Sequence, residues 1–256
     1  MKITVCELPH QPEPLASSWA TLCRHTARHH PELVLLPEFA FVEPFWEAKR
    51  FSLARWQAGV AACHQWLTRL PELAATQVVG TRPVTVGGKH FNEGYLWSAR
   101  RGLVPLRRKY FLPDEPGGWE ASWFARGDRR FPKFTTGKMS FGLNICSELW
   151  ALETYGAYAA MKVDAILSPR ATARATTNKW LAAGVVAAVR SGAYSLSSNR
   201  VHADGSCGGV GWIISPDGKV LAQTSRGTPF VTLDIDLGAT KAARRTYPRY
   251  VFGKDS

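Results

Sequence analysis

Twelve residues near the middle of the chain, at positions 139–150, decide the fold: Met-Ser-Phe-Gly-Leu-Asn-Ile-Cys-Ser-Glu-Leu-Trp. Phe141, Leu143 and Ile145 alternate with smaller or polar neighbours, which predicts a β-strand with one buried face. This strand runs directly into Cys146, so a thiol lies at its carboxyl end. A lone cysteine is most often a buried structural residue, and the surrounding sequence must decide between that interpretation and a reactive thiol.

The segment that follows Cys146 favours the reactive interpretation. Its aromatic and apolar residues predict a helix over residues 150–162. Cys146 would then lie just before a helix N-terminus, where the helix dipole stabilises a thiolate. The sequence therefore predicts a nucleophilic cysteine at this position.

Strands and helices alternate along the rest of the chain. Lys2–Leu8 predicts a first strand, residues 15–29 a helix, and the wholly apolar residues 33–36 a strand that is buried on both faces. Glu38 follows that buried strand after a single proline. Helices that alternate with buried strands indicate an α/β fold in which helices cover sheets.

The composition indicates one domain in a reducing compartment. The 256 residues, 45% of them hydrophobic, suffice for one large core, and we predict a single domain over residues 1–256. The five cysteines are scattered and form no CxxC pair, and the histidines offer too few convergent ligands, so we predict neither disulfides nor a metal site. No signal peptide or apolar run of about 18 residues occurs, and we expect a cytoplasmic protein.

The net charge of +12 is compatible with a nucleic-acid partner. The basic residues argue against one, because they form short clusters in different predicted elements: Arg100-Arg101, Arg107-Arg108-Lys109, Arg129-Arg130 and Arg244-Arg245. The motifs GxGxxG, GxxxxGK[S/T] and GxSxG are also missing, and with them the usual dinucleotide, phosphate-loop and serine-hydrolase sites. We expect no nucleic-acid and no membrane partner.

Three segments resemble the signature segments of the carbon–nitrogen hydrolase (nitrilase) superfamily. They are Leu36-Pro-Glu-Phe39, Arg108-Lys-Tyr-Phe-Leu-Pro113 and Asn144-Ile-Cys-Ser-Glu148, and they occur in the family's order at its approximate spacings. Ser198-Asn-Arg200 and Gly211-Trp-Ile-Ile-Ser-Pro-Asp-Gly218 are similar to the family's late strand end and closing hairpin. The resemblance covers nearly the whole chain.

This resemblance implies a four-layer α-β-β-α sandwich and a catalytic triad of Glu38, Lys109 and Cys146. In the implied mechanism Cys146 is the nucleophile, and Glu38 accepts the thiol proton and later returns it. Lys109 and the backbone N–H of Ser147 stabilise the negative charge of the tetrahedral intermediate, and the charge of Lys109 also lowers the pKa of the thiol. Taken alone, Glu38 has an ordinary interpretation as a helix cap and Lys109 as a surface cation.

The resemblance implies a further acid near Lys109, for which the chain offers Glu115 and Glu120. We prefer Glu120 because Pro116-Gly-Gly-Trp-Glu120 is similar to the Pro-Gly-aromatic-x-Glu pattern of the amidase branches, although the spacer here is Gly-Trp. In that role Glu120 would orient Lys109 or the substrate amide.

Departures from the family's pattern bear on the substrate. Leu149 and Trp150 stand where some relatives carry two arginines that clamp an amino-acid carboxylate, which makes a carbamoyl-amino-acid substrate less supported. Ser-Glu after Cys146, instead of the Trp-Glu of nitrilases, favours amides over nitriles. Trp150 and Arg170 are further candidates for substrate binding. Arg170 lies just past a predicted strand, and we expect its guanidinium to hold the polar or anionic tail of the substrate.

We therefore predict a cofactor-independent thiol amidohydrolase that cleaves the C–N bond of a small linear amide or carbamoyl compound through a cysteine acyl-enzyme. The alternatives are a nitrilase that converts a nitrile to a carboxylic acid, and a non-hydrolytic binding or acyl-transfer protein on the same fold. The resemblance also implies a homodimer or higher homo-oligomer, with contacts around residues 180–189 and 247–252.

Overall fold

The computed structural model describes residues 1–252. Its strands are β1 (Lys2–Leu8), β2 (Leu33–Leu35), β3 (Gln77–Val86), β4 (Lys89–Ser98), β5 (Gly102–Arg108), β6 (Phe134–Thr136), β7 (Met139–Leu143), β8 (Ala165–Arg170), β9 (Tyr194–Arg200), β10 (Trp212–Ile214), β11 (Val220–Gln223) and β12 (Phe230–Asp234). Its α-helices are α1 (Pro12–His29), α2 (Leu53–Leu67), α3 (Glu120–Trp123), α4 (Glu153–Ala160), α5 (Thr177–Ser191), α6 (Gly238–Ala243) and α7 (Arg249–Phe252).

The strands form two sheets of six that meet at one point. The first sheet has the order β12-β1-β2-β3-β4-β5. The second has the order β11-β10-β9-β8-β7-β6. The last two residues of β1, Glu7 and Leu8, leave the first sheet and pair with Asn199 and Arg200 of β9. This crossing joins the two sheets into one hydrogen-bonded system.

Three apolar clusters fill the interfaces between four layers. The cluster between the sheets includes Ile3, Val5, Leu33, Leu35, Phe141, Leu143, Ala165 and Leu167. The cluster under α1 and α2 includes Leu15, Trp19, Val34, Trp56 and Val78, and the cluster under α4 and α5 includes Tyr155, Tyr158, Ile166, Ala187 and Trp212. Strand residues alternate between clusters because successive side chains point to opposite faces of a sheet. The predicted α/β class and α-β-β-α sandwich are confirmed.

The parallel strands bring the predicted site residues to one edge of the molecule. Strand β1 runs parallel to β2 and β9, and β8 runs parallel to β7 and β9. Glu38 follows the carboxyl end of β2, and Cys146 follows that of β7. The end of β2 is tied to that of β8, the neighbour of β7, since the backbone N–H of Glu38 donates to the carbonyl oxygen of Arg170 at 3.2 Å. Ligands of such sheets bind beyond the carboxyl ends of the strands.

The predicted start of the helix over residues 150–162 is wrong. A short 3-10 helix, Cys146–Trp150, comes first, and α4 begins only at Glu153. Side chains interrupt the backbone pattern, because the Asn144 amide donates to the carbonyl oxygen of Glu148 at 3.1 Å and the Tyr155 hydroxyl donates to that of Leu149. These carbonyls would otherwise accept N–H groups from the next helical turn.

No helix among residues 1–252 is long and apolar enough to span a membrane. The cytoplasmic location stays a prediction. The single domain proposed for residues 1–256 also stays a prediction, and residues 253–256 lie outside the described part of the chain.

Candidate active site

A buried lysine lies at the centre of the site, between two carboxylates. The Lys109 ammonium donates to Glu38 Oε1 at 2.8 Å and to Glu120 Oε1 at 2.7 Å. The Lys109 side chain is completely buried, and those of the two glutamates are 2% and 6% exposed. Asn92 donates its side-chain N–H to the same Glu38 oxygen at 2.8 Å. Lys109 is thus no surface cation, because it neutralises two carboxylates that water cannot solvate.

The backbone around Lys109 is held on both sides. Its N–H donates to the carbonyl oxygen of Asn92 at 2.9 Å, and its carbonyl oxygen accepts from the N–H of Gly127 at 2.9 Å. A Cβ atom at Gly127 would lie 2.3 Å from the carbonyl oxygen of Arg108, so only glycine allows this close approach. The backbone of Lys109, the residue after β5, is therefore held in position independently of the contacts of its side chain.

Cys146 begins the 3-10 helix with a left-handed backbone, at φ 48°. Phe39, the residue after Glu38, has a similar φ of 46°. Such conformations cost free energy in residues other than glycine and concentrate at functional sites. Cys146 is 7% exposed, and its thiol accepts a hydrogen bond from the backbone N–H of Ala171.

The environment of Cys146 favours a neutral thiol. Burial raises the pKa of Cys146 well above its ordinary value, and the negative charge of Glu38 raises it further. The positive charge of Lys109 and the Ala171 hydrogen bond lower this pKa without overcoming the first two effects. The expectation of a resting thiolate at a helix N-terminus is wrong, because no α-helix begins at Cys146 and a carboxylate lies beside it. The thiol must lose its proton during the reaction.

Burial acts in opposite directions on the pKa values of Lys109 and Glu120. Burial alone would lower the pKa of Lys109, but the charges of Glu120 and Glu38 outweigh it and the pKa is raised. Burial raises the pKa of Glu120 to about 7, even though Lys109 opposes the change. Lys109 therefore stays positively charged at neutral pH, whereas Glu120 can exchange a proton there.

Glu148 is a site residue to which sequence reasoning gave no role. Its side chain is completely buried and accepts two hydrogen bonds from the Arg107 guanidinium, in a bidentate ion pair. It also accepts the backbone N–H of Tyr110 at 2.7 Å and that of Ile145 at 2.9 Å. Tyr110 follows Lys109, and Ile145 precedes Cys146. Glu148 therefore connects the two segments that carry the lysine and the thiol. The only signal in the sequence was an acid two residues after the cysteine.

We expect Glu148→Gln to lower the free energy of unfolding by about 3–5 kcal/mol, because it leaves the buried Arg107 charge without a counter-charge. Chemical denaturation measures this loss. Glu153→Gln is the matched control, since Glu153 forms an exposed ion pair with Arg129 at 3.6 Å. The control should cost less than about 1 kcal/mol. Equal losses in the two variants would show that Glu148 does not tie the segments together.

The remaining predicted residues lie at different depths. The Ser147 hydroxyl donates to the carbonyl oxygen of Phe111 at 2.6 Å, and Ser147 lies in the first turn of the 3-10 helix, where backbone N–H groups lack intrahelical acceptors. Glu115 is exposed, which leaves Glu120 as the acid that contacts Lys109. Trp150 is half-exposed and packs against Trp180, with ring centroids 5.3 Å apart. A role for Trp150 in substrate binding stays a prediction.

The structure contradicts the predicted role of Arg170. Its side chain is completely buried in β8, and all three guanidinium nitrogens donate to protein acceptors: Ser197 Oγ, Thr172 Oγ1 and the carbonyl oxygen of Val210, at 2.7, 2.8 and 2.5 Å. The guanidinium also lies 4.0 Å from the ring centroid of Trp212. Strand β8 includes Arg170, which the sequence placed just past the strand, and takes its side chain into the core. Every guanidinium nitrogen is thus held by a protein acceptor, and the completely buried side chain does not reach out to a substrate.

Residues 1–252 contain no group of three or more histidine, cysteine, aspartate or glutamate side chains that could hold a metal ion. The predicted absence of metals and cofactors stays a prediction.

The layered sandwich and the buried cysteine at its strand ends are features of a hydrolase that acts on carbon–nitrogen bonds. The model of the carbon–nitrogen hydrolase family matches residues 2–245, and the chain belongs to that family. The resemblance read from the three signature segments is thereby confirmed. No curated protein matches the sequence.

Several solved structures share the fold of this chain. The chain is similar to the carbon–nitrogen hydrolase from Helicobacter pylori G27, with a TM-score of 0.85 and 19% identity over 98% of this chain and 94% of that one. It is similar to XC1258 from Xanthomonas campestris, a superfamily protein with an arsenic adduct in its active site (TM-score 0.77, 16% identity, coverage 98% and 96%). It is also similar to a variant amidase from Nesterenkonia sp. AN1 with an acetamide moiety on its active-site cysteine (TM-score 0.75, 18% identity, coverage 96% and 94%). At these identities the similarity establishes the fold.

Proposed function

We propose that the protein is a cofactor-independent thiol amidohydrolase that cleaves the C–N bond of a small linear amide or carbamoyl compound. The observation that carries the proposal is the buried Lys109 ammonium, bound by Glu38 and Glu120, beside the neutral thiol of Cys146. A neutral nucleophile, a carboxylate and a fixed cation are the groups that acyl transfer from an amide needs. Amidase relatives on the same fold support the choice of amides.

In the first half of the reaction the Cys146 sulfur attacks the amide carbon while Glu38 accepts the thiol proton. Proton transfer and attack occur together because the pKa of Cys146 is too high for a free thiolate. The carbonyl oxygen becomes negatively charged, and Lys109 and the Ser147 N–H stabilise it. Glu38 then gives the proton to the leaving nitrogen, the C–N bond breaks, and ammonia or an amine departs from a thioester.

In the second half a water molecule attacks the thioester carbon, and Glu38 accepts one proton from this water. The same two donors stabilise the second tetrahedral intermediate. The C–S bond then breaks, the sulfur takes the proton from Glu38, and a carboxylic acid leaves. Glu120 acts through Lys109 by holding the ammonium in place, and Asn92 holds the Glu38 carboxylate through the contact described above.

The proposal is tested by ammonia release from a panel of small linear amides, carbamoyl compounds and the matching nitriles. We expect ammonia from amides, with a nitrile hydrolysed more slowly than the amide of the same acid. Hydrolysis of nitriles in preference to amides would favour the alternative nitrilase activity. No turnover of any compound would contradict the proposal and favour a binding or acyl-transfer protein.

The pH dependence of both catalysis and stability should reflect the ionisation of Glu120. Burial raises the pKa of this group to about 7 from an ordinary value of 4.5. Catalysis requires the ionised carboxylate that holds Lys109, so kcat/KM should fall as the pH drops through about 7. The effect on stability has the opposite sign. The folded protein holds this proton more tightly than the unfolded chain, so the contribution is fully present below about pH 4.5 and is lost as the pH rises through about 7.

Kinetics and chemical denaturation between about pH 5 and 8 measure both trends. Glu120→Gln should remove the part of the pH dependence of unfolding that falls between about pH 4.5 and 7. A wild-type kcat/KM that stays constant down to about pH 5 would contradict this role of Glu120.

We also propose a homodimer or higher homo-oligomer. The two predicted contact regions expose apolar side chains, namely those of Val186 on α5 and of Tyr247, Tyr250, Val251 and Phe252 at the end of the described chain. Exposed apolar side chains that cluster on one face favour association. Light scattering at micromolar concentration should therefore give at least twice the 28.3 kDa of one chain. A mass of one chain would contradict the proposal.

A further inference from the structure

A cavity of about 870 Å³ lies at the carboxyl ends of β1 and β9, against the first residues of α1 and α5. Its volume falls in the range of about 300–1,000 Å³ that is typical of small-molecule sites. The apolar part of its wall includes Pro9, Pro14 and Val201. No member of the proposed catalytic set lines it within the part of the chain that the structure describes. The cavity is therefore separate from the proposed active site.

Glu7 places a buried carboxylate in the wall of this cavity. The residue is 3% exposed, and it forms no ion pair among residues 1–252. Its Oε1 accepts the backbone N–H of Val210 and the hydroxyl of Thr224, both at 2.7 Å. Its Oε2 accepts no hydrogen bond from the described residues. A carboxylate that is withdrawn from bulk water is stabilised by a cationic partner, so this oxygen offers a place for a cation from the cavity.

The surrounding chain makes room for the Glu7 carboxylate without supplying a counter-ion. A Cβ atom at Gly209 would lie 2.4 Å from Glu7 Oε2, so only glycine allows the carboxylate to take this position. The guanidinium of Arg170 interacts with Glu7 electrostatically, but its three nitrogens donate to the other acceptors described above. The protein therefore leaves one oxygen of Glu7 open to a ligand.

The other charged groups that line the cavity are cationic and exposed. Arg226 forms no side-chain hydrogen bond or ion pair among residues 1–252, and the side chain of Arg174 donates only to the carbonyl oxygen of His202, at 3.4 Å. His202 also lines the cavity, where it pairs with Asp204. The first residue of α5, Thr177, adds the positive end of a helix dipole. The exposed side of the cavity is thus suited to anionic groups.

These charges define the ligand that would complement the cavity. One buried carboxylate and two exposed guanidinium groups match a molecule with one ammonium group and two carboxylates. An ammonium group is compact and carries three donors, so it can reach a recessed oxygen. Guanidinium groups pair with carboxylates through parallel hydrogen bonds. A short methylene chain between the charged groups would contact the apolar part of the wall.

We propose that this cavity is a binding site for an acidic amino acid. The ammonium group of the ligand pairs with Glu7, and its carboxylates pair with Arg174 and Arg226. The site lies outside the proposed active site, and this inference does not rest on the amidohydrolase function.

Calorimetry with glutamate and two analogues tests the proposal on the unaltered protein. Glutarate lacks the ammonium group of glutamate, and 4-aminobutyrate lacks one of its carboxylates. Glutamate should bind once per chain with a Kd below about 1 mM, and each analogue should bind about 10- to 100-fold more weakly because it loses one charged contact. No binding of glutamate at millimolar concentration, or equal Kd values for glutamate and glutarate, would overturn the proposal.

Variants assign the contacts to individual residues. Glu7→Gln keeps the size of the side chain and an acceptor for Val210 and Thr224, so it should weaken glutamate binding about 10- to 100-fold without weakening glutarate binding. Arg226→Gln should weaken the binding of both ligands. Arg55→Gln is the control, because it removes an equal charge from an exposed position on α2 and should leave both Kd values unchanged. A preference for glutamate over glutarate that persists in Glu7→Gln would contradict the assignment.

A crystal structure of the wild-type protein with glutamate locates the site without any substitution. The ammonium nitrogen should lie within hydrogen-bond distance of Glu7 Oε2, with the carboxylates at the two arginines. Glutamate bound beside Cys146 and Lys109 instead would overturn the proposal.

Discussion

Cys146→Ala is expected to lower kcat for amide hydrolysis by at least about 10⁴-fold, because no other group in the site can form the thioester. The substitution removes one sulfur atom from a 7% exposed position that makes one hydrogen bond, to the Ala171 N–H. The free energy of unfolding should therefore change by about 1 kcal/mol or less. Steady-state ammonia release and chemical denaturation measure the two effects.

Cys23→Ala is the matched control for this variant. Cys23 lies on α1, is partly buried, and its thiol donates a hydrogen bond to Glu72, which is no proposed site residue. This variant should keep wild-type turnover, which separates loss of the nucleophile from loss of any thiol. Residual turnover of Cys146→Ala above about one part in 10³ would rule out Cys146 as the nucleophile.

Lys109→Met is expected to damage both stability and catalysis. It removes the cation that pairs with Glu38 and Glu120, and both carboxylates remain buried. Breaking a buried ion pair by removing one partner costs about 3–5 kcal/mol, and here two partners are left unpaired. Loss of the oxyanion donor should lower kcat by at least about 10²-fold.

A double variant separates these two effects. Lys109→Met with Glu120→Gln replaces one of the two unpaired carboxylates by a neutral amide, so part of the lost stability should return. Turnover should not return, because the oxyanion donor is still missing. Recovery of activity together with stability would show that Lys109 acts only as a structural counter-ion. Unfolding that is unchanged in the single variant would contradict the buried ion-pair network.

Local sequence was sufficient to predict the strands that carry Glu38 and Cys146, and the family resemblance supplied the other site residues. The alternation in β7 and the apolar run in β2 report burial directly, because side chains on a strand change face at every residue. Glu38 and Cys146 follow these strands closely, and parallel strands bring their carboxyl ends together. The preference for Glu120 over Glu115 depended on a pattern around one glycine pair, and the contact with Lys109 agrees with it.

The parts that sequence reasoning missed depend on contacts between distant segments. Glu148 accepts from Arg107, 41 residues earlier, and no local pattern encodes that distance. The pKa of Cys146 is set by burial and by Glu38, whereas the sequence suggested a helix dipole that the structure does not provide. Arg170 lies at the end of a buried strand, and only the acceptors around its guanidinium show that its donors are satisfied inside the protein.

The central claim is that Cys146 carries an acyl group during turnover, and rapid-quench mass spectrometry with peptide mapping tests it most directly. During hydrolysis of a small amide, the peptide that contains Cys146 should gain the mass of the acyl group, and the adduct should decay as the carboxylic acid forms. Cys146→Ala should show neither the adduct nor the turnover. Full turnover without an adduct, or an acyl group on Cys6, Cys23, Cys63 or Cys207 instead, would contradict the account.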